Sequence, residues 1–86
     1  MTREETARFL GEMMNLYPSI ERKNEDYRLT VQLWQESLSD FTLEDMHKAL
    51  INYFQSDTKG YAPTAGQLIE IKQAIDEKEK MWDDLL

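Results

Sequence analysis

Three times along this chain a threonine is followed, three residues later, by a side chain able to reach back to it: Thr2 by Glu5, Thr42 by Asp45, and Thr64 by Gln67. In such a capping box the hydroxyl accepts from the backbone N–H three residues on, while the carboxylate or amide accepts from the threonine's own N–H. Each box satisfies two of the N–H groups that a helix start leaves without partners. Each also opens onto apolar residues at helical spacing. After Thr2 come Leu10, Met13, Met14 and Tyr17, with Phe9 widening the stripe. After Thr42 come Leu43, Met46, Leu50 and Tyr53; after Thr64 come Leu68, Ile71 and Ile75. A chain punctuated in this way has room for helices and little else.

A further helix belongs between the first two boxes. Asn24 is a favourable cap, and Glu25 and Asp26 sit at the positive end of the helix dipole. The stripe is Tyr27, Val31, Trp34 and Leu38, with Leu29 and Leu33 to one side. An arc this broad marks the helix expected to be central, with Trp34 inside. Trp34→Ala is then expected to cost roughly 3–5 kcal/mol. The breaks are equally local. Pro18 ends the first helix by disfavouring the α region at Tyr17. Phe41, just before the Thr42 cap, can staple onto Met46. Gly60 suits a left-handed cap after the third helix, and Pro63 holds Ala62 extended ahead of Thr64. No segment alternates with period two. The fold expected is all-α, a small bundle of four helices over about 3–16, 25–38, 43–57 and 65–82. The bundle domain spans 1–76, and 77–86 is an acidic amphipathic tail, either a helical extension or the start of a flexible segment.

With 86 residues there is one domain and a thin core, which leaves little volume for a deep substrate pocket. There is no cysteine, where a secreted chain this short would usually be stapled by disulfides. The start carries acids rather than a basic and then apolar leader, and no apolar run reaches the roughly 20 residues of a membrane span. A cytosolic protein is expected. The net charge of −7, from 17 acids and 10 bases, argues against direct duplex DNA binding, which needs cations to neutralise phosphates. It suits a protein partner with a basic surface. Arg22, Lys23 and Arg28 are hemmed in by Glu21, Glu25 and Asp26. Lys72, Lys78 and Lys80 alternate with Asp76, Glu77 and Glu79, which reads as an exposed, salt-bridged helix face.

Chemistry is sparse. His47 is the only histidine, and with Glu44 it makes a Glu-x-x-His pair. A carboxylate-bridged di-metal site needs two such pairs and two more carboxylates, so only a dimer could complete one. The plainer reading is an exposed residue opposite Leu50. The serines fall in turns or at helix ends, and Gly11, Gly60 and Gly66 are isolated, so neither an activated nucleophile nor a phosphate loop is formed. No catalytic residue, metal ligand or cofactor is assigned. Two features suit partner binding instead. In the tail, Met81, Trp82, Leu85 and Leu86 stand among acids that include Asp83 and Asp84. An amphipathic helix with a tryptophan anchor is a common groove ligand; alternatively Trp82, two turns beyond Ile75, closes the chain's own core. Tyr61 is expected to cover the bundle end, with exposure to a partner as the alternative.

The order Leu16-Tyr17-Pro18, then Trp34 and Leu38, then Ala49-Leu50 and Tyr53, then Tyr61-Ala62-Pro63-Thr64 ahead of Leu68 and Ile71, resembles the phage replicative-helicase loader/inhibitor family of Gram-positive phages and prophages. The resemblance covers roughly residues 5 to 75, and its sharpest part is the aromatic-Ala-Pro-Thr step into the last helix. It implies a DNA replication accessory protein of the bacterial cytoplasm. Such a protein binds the replicative helicase, keeps it inactive and delivers it to an initiator protein at the origin, without hydrolysing nucleotide. It also implies a helical N-terminal domain followed by a more flexible part that contacts the helicase. The chain stops at Leu86, so it is either a short member or a cut one, and only Met81 to Leu86 could carry that contact here. Two other readings stay open: a phage structural or assembly adaptor on the same bundle, and a small enzyme or metal protein centred on Glu44 and His47. Leftover apolar surface on the second helix makes the expected state a monomer or a weak homodimer.

Overall fold

The computed structural model describes residues 1–18 and 27–85, with side chains through Asp83. Four helices make up the described chain: α1 (Arg3–Leu16), α2 (Tyr27–Ser37), α3 (Leu43–Ser56) and α4 (Ala65–Leu85). All three threonine boxes form. Glu5 N–H donates to Thr2 Oγ1 at 3.1 Å and Thr2 N–H to Glu5 Oε1 at 2.9 Å. Asp45 N–H donates to Thr42 Oγ1 at 3.1 Å, and Thr42 N–H to Asp45 Oδ2 at 3.0 Å. In the third box Gln67 N–H donates to Thr64 Oγ1 at 3.2 Å and Thr64 N–H to Gln67 Oε1 at 2.9 Å. The cap expected at Asn24 lies outside the described residues. α4 runs three residues further than the spacing of apolar positions implies, to Leu85.

The turn after α3 is built differently from expectation. α3 ends at Ser56, and extended Asp57 is its cap. The Asp57 carboxylate then holds the turn, accepting from Lys59 N–H at 3.0 Å and Gly60 N–H at 3.1 Å. Gly60 does take the left-handed conformation, φ 79°, but inside this turn rather than at the helix end. The same carboxylate accepts from the Tyr17 hydroxyl at 2.9 Å, so one aspartate ties the end of α1 to the start of the α3–α4 connection. Burial, helped by that carboxylate, pushes the Tyr17 hydroxyl up to about 12. The Tyr17 ring meets Phe54 edge-on, with centroids 6.0 Å apart.

α1 and α3 form the inner pair; α2 packs on α1, and α4 packs on α3. The fully enclosed side chains are therefore drawn mainly from α1 and α3: Phe9 and Met13, then Met46, Ala49 and Leu50, with Leu38 and Leu68 completing the interior. Leu10, Tyr17 and Val31 are buried with them. This corrects the sequence-based placement of α2 at the centre. Within that helix only Val31 is buried. Leu29 and Leu33 face outward, and Trp34, like Tyr27, Tyr53 and Ile71, packs against the core half-buried. A helix with one extensive neighbour has one stripe covered, however wide its apolar arc. Phe9 takes the central aromatic position assigned to Trp34, whose ring lies 6.2 Å from it. Ile75 is half-buried and stands apart from the core cluster, because α4 is leaving the body there.

Candidate partner-binding surface

α4 is 21 residues long, about 31 Å at the usual rise. Its first half is committed to the fold. Leu68 is enclosed, with Ala65, Ile69 and Ile71 packed beside it. Lys72 is buried as well, which corrects its assignment to an exposed face. Its ammonium reaches Asp76 Oδ1 at 2.8 Å and Asp45 Oδ1 at 3.3 Å. Asp76 first, and then Asp45, hold the amine above its ordinary value against the opposing effect of burial. Asp45 is held below its ordinary value chiefly by the Thr42 N–H, with Lys72 adding to the effect. The same aspartate thus closes the α3 box and anchors α4.

Every described side chain from Asp76 to Asp83 is exposed. Met81 is 65% and Trp82 67% exposed, so Trp82 does not close the core of this chain. Trp82 nevertheless stands seven residues after Ile75 and eleven after Ile71, within roughly 20° of the same helix face. The apolar stripe of α4 starts against α3 and carries on, at the same angle, into solvent. Lys78 and Glu79, four and three residues before Trp82, neighbour it on that face, with Asp83 to one side and Asp76, Glu77 and Lys80 further round the helix. An exposed aromatic and a thioether thus stand on a helical segment, Asp76 to Asp83, whose charge is net negative. The side chains of Asp84 and Leu85, and the whole of Leu86, lie outside the described residues.

Tyr61 is 73% exposed and does not cover the bundle end. Its backbone carbonyl instead accepts the Tyr53 hydroxyl at 2.6 Å. Tyr61 precedes α4, while Trp82 lies about 26 Å along the helix from Ala65. The two are separate surfaces. Phe54, also exposed, is a further apolar side chain at the Tyr17 end of the body.

At the other candidate centre His47 is exposed, but its partner is Glu12 of α1, with Nδ1 3.1 Å from Oε2. Glu44 pairs with Lys48 at 4.0 Å. The open groove beside them, about 620 Å³, mixes Glu5, Arg8, Glu12 and Lys48. Among the described residues no group of three or more His, Cys, Asp or Glu is placed to hold a metal ion. No described helix is long and apolar enough to cross a membrane. Sequence spacing misses the Glu12–His47 pair and the burial of Lys72, since in each a partner comes from another helix.

The family model for the N-terminal domain of the phage SPP1 helicase loader/inhibitor matches residues 1–69. The match takes in α1, α2, α3 and the first turn of α4, and it stops before the exposed half of α4. No curated protein and no solved structure matches the chain. With about four fifths of its residues inside the match, all three boxes and the inner helix pair among them, the chain belongs to the phage helicase loader family, whose members are accessory proteins rather than enzymes.

Proposed function

We propose that this protein acts in phage DNA replication in the bacterial cytoplasm by binding the replicative helicase, holding it inactive and passing it to an initiator protein at the origin. The observation that carries the reading is the exposure of Met81 and Trp82 on a helix that continues past the body. Side chains of this size give nothing to the fold there, and family membership supplies the class of partner. The contact is assigned to Met81, Trp82, Asp83, Asp84, Leu85 and Leu86, with Tyr61 as a second, separate point. The bundle holds and presents that helix and carries out no chemistry. Duplex DNA is not a direct ligand, because the presented surface is acidic.

The test is capture of the helicase by the full chain, with and without ATP, beside a chain truncated after Asp76. Capture by the full chain, its loss on truncation and an unchanged melting temperature support the reading. A helicase that binds neither this chain nor any longer natural form removes it.

A further inference from the structure

α2 presents two contrasting faces. Val31, and Leu38 just past its end, are buried against the body. The opposite face carries Arg28, Leu29, Gln32, Leu33 and Glu36, every one of them exposed. Leu29 and Leu33 are 54% and 52% exposed. These positions follow one another at i, i+1, i+4, i+5 and i+8, a single stripe along the helix. Neither leucine belongs to the core or packs against it.

The order of groups along the stripe is self-complementary. A cation opens it, leucines occupy the middle, and an anion closes it. Two such stripes laid antiparallel about a two-fold axis at Gln32 bring Arg28 of each copy to Glu36 of the other. Leu29 of each then lies within about 3 Å, along the axis, of Leu33 of the other, so that residue i meets j and j meets i, as an isologous contact requires. A parallel pairing would instead oppose like charges. Next to Leu33 a shallow apolar groove of about 300 Å³ runs between α2 and the Pro63–Thr64 step, floored by Trp34. It lies at the level where the opposing Leu29 arrives. We infer that the outer face of α2 is a self-association surface: a second copy of this chain packs antiparallel on Arg28, Leu29, Gln32, Leu33 and Glu36, seating its Leu29 beside Trp34 and Pro63. One face of an 11-residue helix buries less than the roughly 1,200 Å² of a standard interface. The pairing is therefore weak and concentration-dependent. It does not depend on the helicase reading and is measured on the chain alone.

Sedimentation equilibrium of the full chain, from micromolar to millimolar, tests it. The expected mass rises from monomer toward dimer, and Leu33→Glu, at a site outside the core, holds it at monomer with an unchanged helical spectrum. Arg28→Glu and Glu36→Arg each weaken association by about tenfold. The double variant restores it, and an equimolar mixture of the two single variants pairs as a heterodimer. Gln32→Cys, the only thiol in the chain, gives a disulfide dimer on mild oxidation, whereas Gln73→Cys on α4 does not. Four results overturn the inference. One is a monomer at every concentration. The second is association indifferent to Leu33→Glu, which places it on another face, and the third is a double variant as weak as the singles, which breaks the antiparallel register. The last is a monomeric chain in which Leu33→Glu abolishes binding of a different protein, which assigns the face to that partner.

Discussion

The two halves of α4 share one backbone and one apolar stripe, and they are held by different physics. From Ala65 to Ile75 the helix lies on α3, with Leu68 enclosed and Lys72 pinned between Asp45 and Asp76. From Asp76 onward no described side chain is buried. That half is rich in Glu and Lys, good helix formers, but a segment so short would be marginal as an isolated helix. It is helical because it propagates from turns already nucleated on the body, so only the cheap step of adding residues remains. Burial thus fixes the first half, and the second inherits its direction. Apolar side chains in the second half contribute nothing to the interior and remain available for a partner.

The largest expected contrast comes from deleting equivalent bulk in the two halves. Leu68→Ala removes an enclosed side chain at the α3–α4 contact and should cost about 2–5 kcal/mol, read as a lower urea midpoint with an unchanged slope. A loss of only a few tenths would mean that α4 is not docked at all. Lys72→Ala sits at the boundary and should cost about 1–2 kcal/mol, since it strips a packed aliphatic stem and the hydrogen bonds to Asp76 and Asp45. A neutral result would move the edge of the docked half back toward Ile69. Trp34→Ala, which the apolar arc of α2 alone would rank among the most damaging changes, should cost less than Leu68→Ala, because the indole is only half-buried.

These contrasts show what is legible without the structure. The boxes at Thr2, Thr42 and Thr64 and the helical period depend on residues three or four apart, so three helix starts and all four helices can be read directly. Which stripe becomes the centre depends on neighbours. The apolar arc of α2 reports how much greasy surface that helix carries and is silent on what covers it, so it puts Leu29, Leu33 and Trp34 too deep and Phe9 too shallow. Lys72 looks like one member of an alternating charge run. Its burial follows from Asp45 on another helix, which no local pattern contains. At the candidate site the amphipathic tail is visible from Met81 and Trp82, but whether Trp82 closes the core is decided only by where α4 leaves α3.

Acid should weaken the docked half by a definite route. Asp45 is held below its ordinary 3.8, so the unfolded chain binds this proton more readily than the folded one. Its contribution is complete above that value and is lost as pH falls through the lower folded value. Glu5 and Asp57 are shifted in the same direction, mainly by the Thr2 and Lys59 N–H groups. The melting temperature should therefore hold from neutrality to about pH 5 and drop below about pH 4. Asp45→Asn should lower it at neutrality and flatten the acid limb. An acid limb equally steep in that variant would show that the link between the α3 cap and Lys72 is not sensed by stability.

The smallest effect on stability is the most telling for the exposed half. Trp82→Ala should leave the urea midpoint within about 0.5 kcal/mol of the parent, as for surface changes that break no contact. Helicase binding by the same variant should fall tenfold or more, as expected for an aromatic anchor. The pairing of a null in one measurement with a large loss in the other is what separates the two halves of α4, because Leu68→Ala should show the reverse pattern at a temperature where it remains folded. Trp82→Phe, which keeps an aromatic on the same face, should recover part of the binding and none of the stability difference, there being none to recover. If Trp82→Ala lowered the midpoint by several kcal/mol, the stripe would have to close on the chain's own body, and the distal half of α4 would belong to the core rather than to a partner.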